Sequence, residues 1–269
     1  MFQEVQDLQD EGATLKALLA RLSPEEWMRP TPFKSWTSWD VVGHLHLSDL
    51  WAMAALDGPE TFKEVAEPAI AALRNGTPLR DVTRTHFAGL DGAGMFRAWS
   101  ECFETLATRF SALDPKARLT WFGPDMGARM FVTARYMETW AHGQDIYDLL
   151  GQERVYTDAI RAIATIGVKT FAFTFVNRGL TPPQPEPYVR LTAPSGAVWE
   201  WNAPSKDDCV EGLASEFCHV VTQGRNVADT ALAVKGESAR SWMAIAQCFA
   251  GGPENPPAPG TRTAMRKRT

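Results

Sequence analysis

The 269-residue sequence predicts an α+β fold, in which a helical bundle over residues 1–180 precedes a small α/β domain over residues 187–250. Three observations indicate this organisation. Apolar residues recur at spacings of three and four in successive segments before residue 180. The proline-rich segment Thr181–Pro187 then interrupts the pattern and marks a linker. Beyond it, apolar and polar residues alternate with period two, which is typical of β-strands.

The predicted helices have several clear starts. Ser23–Pro24–Glu25–Glu26 is a capping box with proline at the first helical position. Thr37–Ser38–Trp39–Asp40 is a second N-cap signature, because the threonine hydroxyl can cap and the acid favours the positive helix end. Helices are predicted over residues 2–22, 24–27, 38–56, 60–74, 79–112 with a break at 89–92, 128–150 and 157–178.

The small domain is predicted to be a β-β-α-β-α unit. Residues 188–192 and 197–201 alternate around Pro194–Ser195–Gly196, which predicts a hairpin. A helix over residues 207–222, a strand over 230–235 and a helix over 238–249 are expected to follow. Residues 251–269 are rich in proline and glycine and then basic, so they are expected to form a disordered tail.

Composition narrows the function classes. The net charge of −5 gives no electrostatic reason to expect binding to nucleic acid or to an anionic membrane. The four cysteines are widely spaced without a Cys-x-x-Cys pair, which argues against a zinc ribbon or a thioredoxin-type motif. The first ten residues lack the apolar stretch of a signal peptide, and no apolar run reaches the roughly 18–20 residues of a membrane span. A cytoplasmic protein that binds neither nucleic acid nor membranes is therefore expected, with its oligomeric state open.

The chemistry-bearing stretch lies in the predicted helix over residues 128–150. Glu138 and His142 are four residues apart, so they point to the same side of the helix, and Asp145 lies three residues further on. A carboxylate and an imidazole at this spacing can share one metal ion. The alternative is a simple surface pair, and the spacing alone does not decide between the two. A metal site needs at least one more protein ligand.

Two histidines on the predicted helix over residues 38–56 are candidates for that ligand. His44 and His46 are two residues apart and diverge by about 200° around a helix, so at most one of them can join a given site. His44 is weakly favoured because it shares a face with Val41, Leu47 and Trp51. A purely structural role for either histidine stays open at this point.

Two segments together resemble a known family. Ser35–Trp36–Thr37–Ser38–Trp39–Asp40–Val41–Val42–Gly43–His44–Leu45 resembles its tryptophan-containing approach to the second helix, which ends in a histidine ligand. Arg135–Tyr136–Met137–Glu138–Thr139–Trp140–Ala141–His142–Gly143–Gln144–Asp145 resembles its Arg-x-x-Glu-x-x-x-His-x-x-Asp pattern on a later helix. The family is the mycothiol-dependent maleylpyruvate isomerase branch of the DinB/YfiT-like superfamily. The resemblance covers residues 1–180, and the small domain is similar to that family's sterol-carrier-like C-terminal domain.

This resemblance implies a DinB-like four-helix bundle that holds a divalent metal through His44, Glu138 and His142. Zinc is expected ahead of nickel, manganese or iron, with water or a thiol at the remaining position. It also implies mycothiol, or another low-molecular-weight thiol, as a cofactor. Asp145 is expected to orient His142 or Arg135, or else to serve packing. Because they flank the ligands on the same helices, Trp39 or Trp51 and Trp140 are expected to wall the pocket.

The expected function is a metal-dependent enzyme of thiol S-transferase or cis–trans isomerase type, acting on a small electrophilic substrate. The alternative is a non-catalytic metal-binding protein that holds a small ligand in the bundle pocket. One feature departs from the family pattern. The end of the last helix reads Cys248–Phe249–Ala250–Gly251–Gly252, without the family's Gly-Arg, so the substrate and the thiol stay open, with Arg225 and Arg240 as alternative cations.

Overall fold

The computed structural model describes residues 1–123 and 125–263. The described residues divide into two compact units, the first over residues 1–152 and the second over residues 153–263. The first unit contains the helices α1 (Gln3–Leu19), α2 (Pro24–Met28), α3 (Ser38–Asp57), α4 (Pro59–Arg74), α5 (Leu79–His86), α6 (Gly92–Ser111) and α7 (Ala128–Leu150). Strands β1 (Arg118–Leu119) and β2 (Met126–Gly127) form a short antiparallel pair before α7.

Four long helices build the bundle of the first unit. Helix α1 packs against α6 and α7, and α3 packs against the same two helices. Gly12 allows the close approach of α1 to α6, because a Cβ at this position would lie 2.1 Å from the ring of Phe103. Helix α3 is central, since its residues are buried on all sides through most of its length. The predicted four-helix bundle is therefore present.

Both predicted capping boxes are present and fix where α2 and α3 begin. Ser23 accepts a hydrogen bond from the backbone of Glu26, whose side chain accepts one from Ser23 in return. Thr37 and Asp40 make the same reciprocal pair at the start of α3. Arg84 of α5 adds two hydrogen bonds to the Asp40 carboxylate, of 2.6 and 2.8 Å. The start of α3, and with it the position of His44 nearly two turns later, is thus firmly anchored.

The second unit combines a four-stranded sheet with short helices. Its elements are the 3-10 turn over residues 158–160, α8 (Arg161–Lys169), α9 (Phe171–Val176), β3 (Tyr188–Thr192), β4 (Val198–Trp201), β5 (Cys209–Leu213), α10 (Ala214–Val221), β6 (Ala233–Lys235) and α11 (Glu237–Met243). The strand order is β4-β3-β5-β6, with β3 antiparallel to β4 and parallel to β5. The predicted hairpin is confirmed, as is the α+β class.

One element of the small domain was predicted wrongly. Residues 209–213, expected to begin a helix over 207–222, form strand β5, and the helix starts only at Ala214. This segment pairs with β3 on one side and with β6 on the other. Tertiary pairing in the middle of the sheet decides its conformation over the local pattern. The unit is accordingly β-β-β-α-β-α rather than β-β-α-β-α.

The unit boundary also differs from the expected one. It falls after Gln152, whereas the sequence suggested the proline-rich segment 181–187. The predicted helix over residues 157–178 is broken into a 3-10 turn, α8 and α9, and α8 packs on α10 of the second unit. A Cβ at Gly167 of α8 would lie 2.8 Å from the side chain of Val221, so the two helices are in close contact. The linker-like prolines therefore lie within the second unit.

The expectation of a disordered tail is wrong for residues 251–263. Asp229 accepts hydrogen bonds from the backbone of Gly260, and Asn226 donates one to the carbonyl of Pro257. The guanidinium of Arg262 donates to the carbonyl of Gln223. This segment is packed on the second unit, while residues 264–269 lie outside the described part of the chain. Within the described residues, no helix has the length and apolar character required to cross a membrane.

Candidate metal centre

Helices α3 and α7 bring three potential ligands together inside the bundle. Oε2 of Glu138 lies 3.6 Å from Nε2 of His142 on the same helix and 3.4 Å from Nε2 of His44 on α3. The ligand atoms of all three residues lie within 4.8 Å of one another. Tetrahedral zinc with bonds of about 2.0–2.1 Å holds neighbouring ligand atoms about 3.3 Å apart. The donor types and their spacing therefore fit a single divalent ion.

Electrostatics favour the protonation states that a metal requires. Burial raises the pKa of Glu138, but the hydrogen bond from His44 and the charges of His142 and Arg135 outweigh it and lower the pKa to about 2. Burial also lowers the pKa of His44, and only Glu138 opposes this effect. At neutral pH the site thus presents a carboxylate and a neutral imidazole, and a metal on Nε2 of His44 would require the imidazole proton to lie on Nδ1.

The site is enclosed on most sides but retains access. The side chain of Glu138 is 23% exposed and that of His142 is 13% exposed. The arrangement leaves one face of the cluster reachable by a small molecule.

A carboxylate fixes the orientation of His142. Oδ2 of Asp145 lies 3.1 Å from Nδ1 of His142, and Asp145 is only 1% exposed. A proton held on Nδ1 by this contact leaves Nε2, the atom that faces Glu138, as the electron-pair donor. Of the two partners considered for Asp145 from the sequence, the structure places it against His142.

The two histidines of α3 point in different directions, as their spacing predicted. His44 faces His142, with their ring centroids 4.7 Å apart. His46 stacks instead on Phe87, at 4.7 Å with an interplanar angle of 15°. Burial lowers the pKa of His46 to about 4, assisted by the charge of His86. His46 is therefore a neutral packing residue outside the ligand cluster.

Arg135 forms a cross-helix ion pair that sequence reasoning missed. Its guanidinium donates hydrogen bonds of 2.8 and 3.1 Å to Oδ1 of Asp49 on α3. The other carboxylate oxygen of Asp49 accepts a hydrogen bond from the indole of Trp99. Both members of the pair are buried. An acid within a helix that is buried through most of its length was the available signal, since such a group needs a partner.

The aromatic rings that touch the imidazoles are those of Trp36 and Phe33. Trp36 lies 5.8 Å from His44 and 6.3 Å from His142, and Phe33 lies 5.2 Å from His142, measured between ring centroids.

The structure gives the following positions for the three tryptophans expected to wall the pocket. Trp39 donates its indole N–H to the carbonyl of Leu90, Trp51 packs on Phe122, and Trp140 is buried within α7. A pocket role for these three stays a prediction. Trp36 was visible in the sequence only as one of several tryptophans near the site.

Comparison with known proteins gives two kinds of relative. A family model described as the mycothiol maleylpyruvate isomerase N-terminal domain matches residues 8–147. Uncharacterized proteins from the CDC 1551 and H37Rv strains of Mycobacterium tuberculosis are each 38% identical to this chain over 249 residues. The match spans 93% of this chain and 96% of each relative.

Solved structures agree with the fold. A crystal structure of the mycothiol-dependent maleylpyruvate isomerase matches with a TM-score of 0.54 and 15% identity, over 84% of this chain and 89% of that one. A histidine-to-alanine mutant of that isomerase matches with the same TM-score, at 14% identity. At this identity the likeness shows the fold alone. Together with the family match, it confirms the resemblance identified from the sequence. The chain belongs to the family defined by the mycothiol maleylpyruvate isomerase N-terminal domain.

Proposed function

We propose that this protein is a metal-dependent enzyme that uses a low-molecular-weight thiol, mycothiol in the first place, to transform a small electrophilic substrate. The convergence of three ligand atoms within 4.8 Å, on two helices, is the observation that carries the proposal. The thiol comes from the family, whose solved relatives are mycothiol-dependent isomerases.

His44, Glu138 and His142 would hold the ion. Two imidazoles and one carboxylate suit zinc, although other divalent metals accept the same donors. Three protein ligands and an accessible face are the arrangement of a catalytic rather than a structural zinc site. When bound there, a divalent metal supplies Lewis acidity, which lowers the pKa of a coordinated thiol so that it is a thiolate at neutral pH.

Other residues of the chain hold the three ligands in position. Asp145 holds a proton on Nδ1 of His142 and so keeps Nε2 available. The Arg135–Asp49 pair ties α7 to α3 close to both sets of ligands, since Arg135 lies three residues before Glu138 and Asp49 lies five residues after His44. Because this ion pair is buried and both of its hydrogen bonds go to one carboxylate oxygen, it resists sliding of one helix along the other.

Two reaction types are compatible with a bound thiolate. For a cis–trans isomerisation, the thiol would supply a nucleophile that adds reversibly to a carbon–carbon double bond conjugated to a carbonyl group, so that the thiol is regenerated. In a thiol transfer, the sulfur displaces a leaving group and the new carbon–sulfur bond stays in the product. Cysteines that form no disulfide within the described part of the chain and a thiol cofactor both suit a reducing compartment, so we propose a cytoplasmic location.

The test combines metal analysis with product analysis. Purified protein should contain about one zinc per chain, or take one up, and His142→Ala should lose it. With mycothiol, wild-type protein should convert either a cis-configured unsaturated keto acid to its trans isomer or an alkyl halide to a thioether, detected by chromatography and mass spectrometry. Protein that binds metal and thiol but returns every electrophile unchanged would support the non-catalytic alternative. Protein that binds no metal would refute the proposal.

A further inference from the structure

The two histidines of the centre are supported in different ways. His142 has its Nδ1 held by Asp145. Nδ1 of His44, in contrast, is buried and has no hydrogen-bond partner among the described residues. Histidines that bind metal almost always use the second ring nitrogen for an orienting hydrogen bond. His44 therefore needs another interaction to fix the direction in which its Nε2 points.

A single indole is placed to act on both imidazoles. The ring of Trp36 meets His44 edge to face, with centroids 5.8 Å apart and an interplanar angle of 73°. The same ring lies parallel to His142, with an interplanar angle of 1°. His44 and His142 are themselves at 72° to each other, so the indole lies edge to face with one imidazole and parallel to the other. Turning either imidazole about its χ2 bond would break these contacts, because aromatic contacts depend on ring orientation.

The backbone that carries Trp36 is constrained. Residues 33–36 form a tight turn in which the N–H of Trp36 donates to the carbonyl of Phe33 at 2.8 Å. Both central residues, Lys34 and Ser35, have positive φ values of 48° and 56°, as in a type I′ turn. Residues other than glycine, asparagine or aspartate rarely adopt this conformation, and they keep it only where the surroundings enforce it.

The surroundings of the turn supply that constraint. The N–H of Thr31 donates to the carbonyl of Trp36 at 2.7 Å, and Pro30 and Thr37 form an isolated antiparallel bridge. Thr37 is at the same time the N-cap of α3. The turn is thus joined directly to the helix that carries His44, and Trp36 is held in register with that ligand.

We propose that Trp36 is the positioning residue of the metal centre. It orients His44 by ring packing where Nδ1 has no hydrogen-bond partner among the described residues, and it lies parallel to the ring of His142, whose Nδ1 contacts Asp145. This inference rests on the proposed function, in that it takes His44 and His142 as metal ligands. It predicts that Trp36 governs metal affinity and ligand geometry, beyond any contribution it makes to the core.

The test uses Co²⁺ alone, bound to the full-length apoprotein, because its visible absorption bands report coordination geometry. Trp36→Leu keeps apolar volume but loses the flat ring, and it should weaken Co²⁺ binding about tenfold and alter the absorption bands. Trp36→Phe restores a flat ring and should bind within about threefold of wild type. Trp27→Leu is the matched control. Trp27 is equally buried, packs against Gly92 of α6 and should change stability without changing the Co²⁺ spectrum.

A second pair of variants tests the turn itself. Ser35→Gly allows the positive φ, whereas Ser35→Pro forbids it because the ring fixes φ near −65°. The glycine variant should keep the wild-type spectrum, and the proline variant should resemble Trp36→Leu.

The inference and the proposed function fail in distinguishable ways. If His44→Ala abolishes Co²⁺ binding while Trp36→Leu leaves both affinity and spectrum unchanged, the inference is overturned and the metal centre stands. The inference is also overturned if Trp27→Leu alters the spectrum as much as Trp36→Leu does. Wild-type protein that takes up no Co²⁺ would overturn both.

Discussion

Replacing Asp145 by Asn tests the support of His142 with a minimal change. The substitution keeps the size and shape of the side chain and removes its charge. The amide oxygen can still accept a hydrogen bond from Nδ1, but it polarises the imidazole less. We expect weaker metal binding from an otherwise intact bundle, because α7 and its core contacts are unchanged.

The size of the effect follows from the contact itself. Loss of an orienting partner in this position costs about 10–100-fold in metal affinity, which corresponds to about 1.4–2.7 kcal/mol. The separation of 3.1 Å is longer than the roughly 2.7–2.9 Å of a strong charge-assisted hydrogen bond, which favours the lower half of that range. Asp145 is 1% exposed, so water cannot easily replace the lost interaction. We therefore expect zinc affinity to fall about 10–30-fold.

The assay is competition for Zn²⁺ between the protein and a chromophoric chelator at fixed pH. Asp148→Asn is the matched control, because Asp148 is an equally buried carboxylate on the same helix that accepts a hydrogen bond from the side-chain amide of Gln144. It should bind zinc within about threefold of wild type. Equal losses in the two variants, or no loss in Asp145→Asn, would refute the assigned role of Asp145.

Four further outcomes are expected. His142→Ala should abolish stoichiometric metal with the helical circular dichroism retained, whereas His46→Ala should leave metal content unchanged; the reverse pattern would contradict the ligand set. Chelation of a metal present at about 1,000 times its Kd should lower the free energy of unfolding by about 4 kcal/mol, and an unchanged melting temperature would argue against a bound ion. Asp49→Ala should destabilise the bundle by about 3–5 kcal/mol, because it leaves the buried Arg135 charge unpaired, and Asp49→Leu combined with Arg135→Met should recover most of this loss in denaturant unfolding. Burial, and after it the charges of three nearby arginines, lowers the pKa of His219 well below its usual value of 6.5. The unfolded chain therefore binds one more proton than the folded protein below pH 6.5, and the free energy of unfolding should fall with acidification by up to about 1.4 kcal/mol per pH unit. His219→Gln should flatten that slope in urea titrations.

The sequence was most informative where one element contains the whole pattern. Glu138 and His142 lie on one helix, so their spacing alone places them on one face. The starts of α2 and α3 were predictable for the same reason, since each capping box spans four consecutive residues. Such local patterns depend only on backbone geometry, which is nearly the same in every helix.

Features that depend on several elements could not be predicted in this way. Strand β5 forms because two other strands flank it, and neither neighbour is adjacent to it in sequence. The pairing of Asp49 with Arg135 requires the register between α3 and α7, which no single-helix periodicity contains. Residues 251–263 were expected to be disordered on composition, but specific acceptors on the second unit hold them.

The interactions that orient the two histidines of the candidate centre differ in the same way, because one lies within a single helix and the other does not. On α7, Asp145 lies three residues after His142, so the ligand and its orienting carboxylate arise from one helical pattern. His44 has no such partner on α3: Asp40, one turn before it, caps the helix and binds Arg84, and Ser48, one turn after it, makes no hydrogen bond to its Nδ1. Its orientation then has to come from outside the helix, and the turn that carries Trp36 is joined directly to the start of α3. A ligand that lacks support within its own helix therefore depends on long-range packing, and variation in the turn should affect His44 before it affects His142.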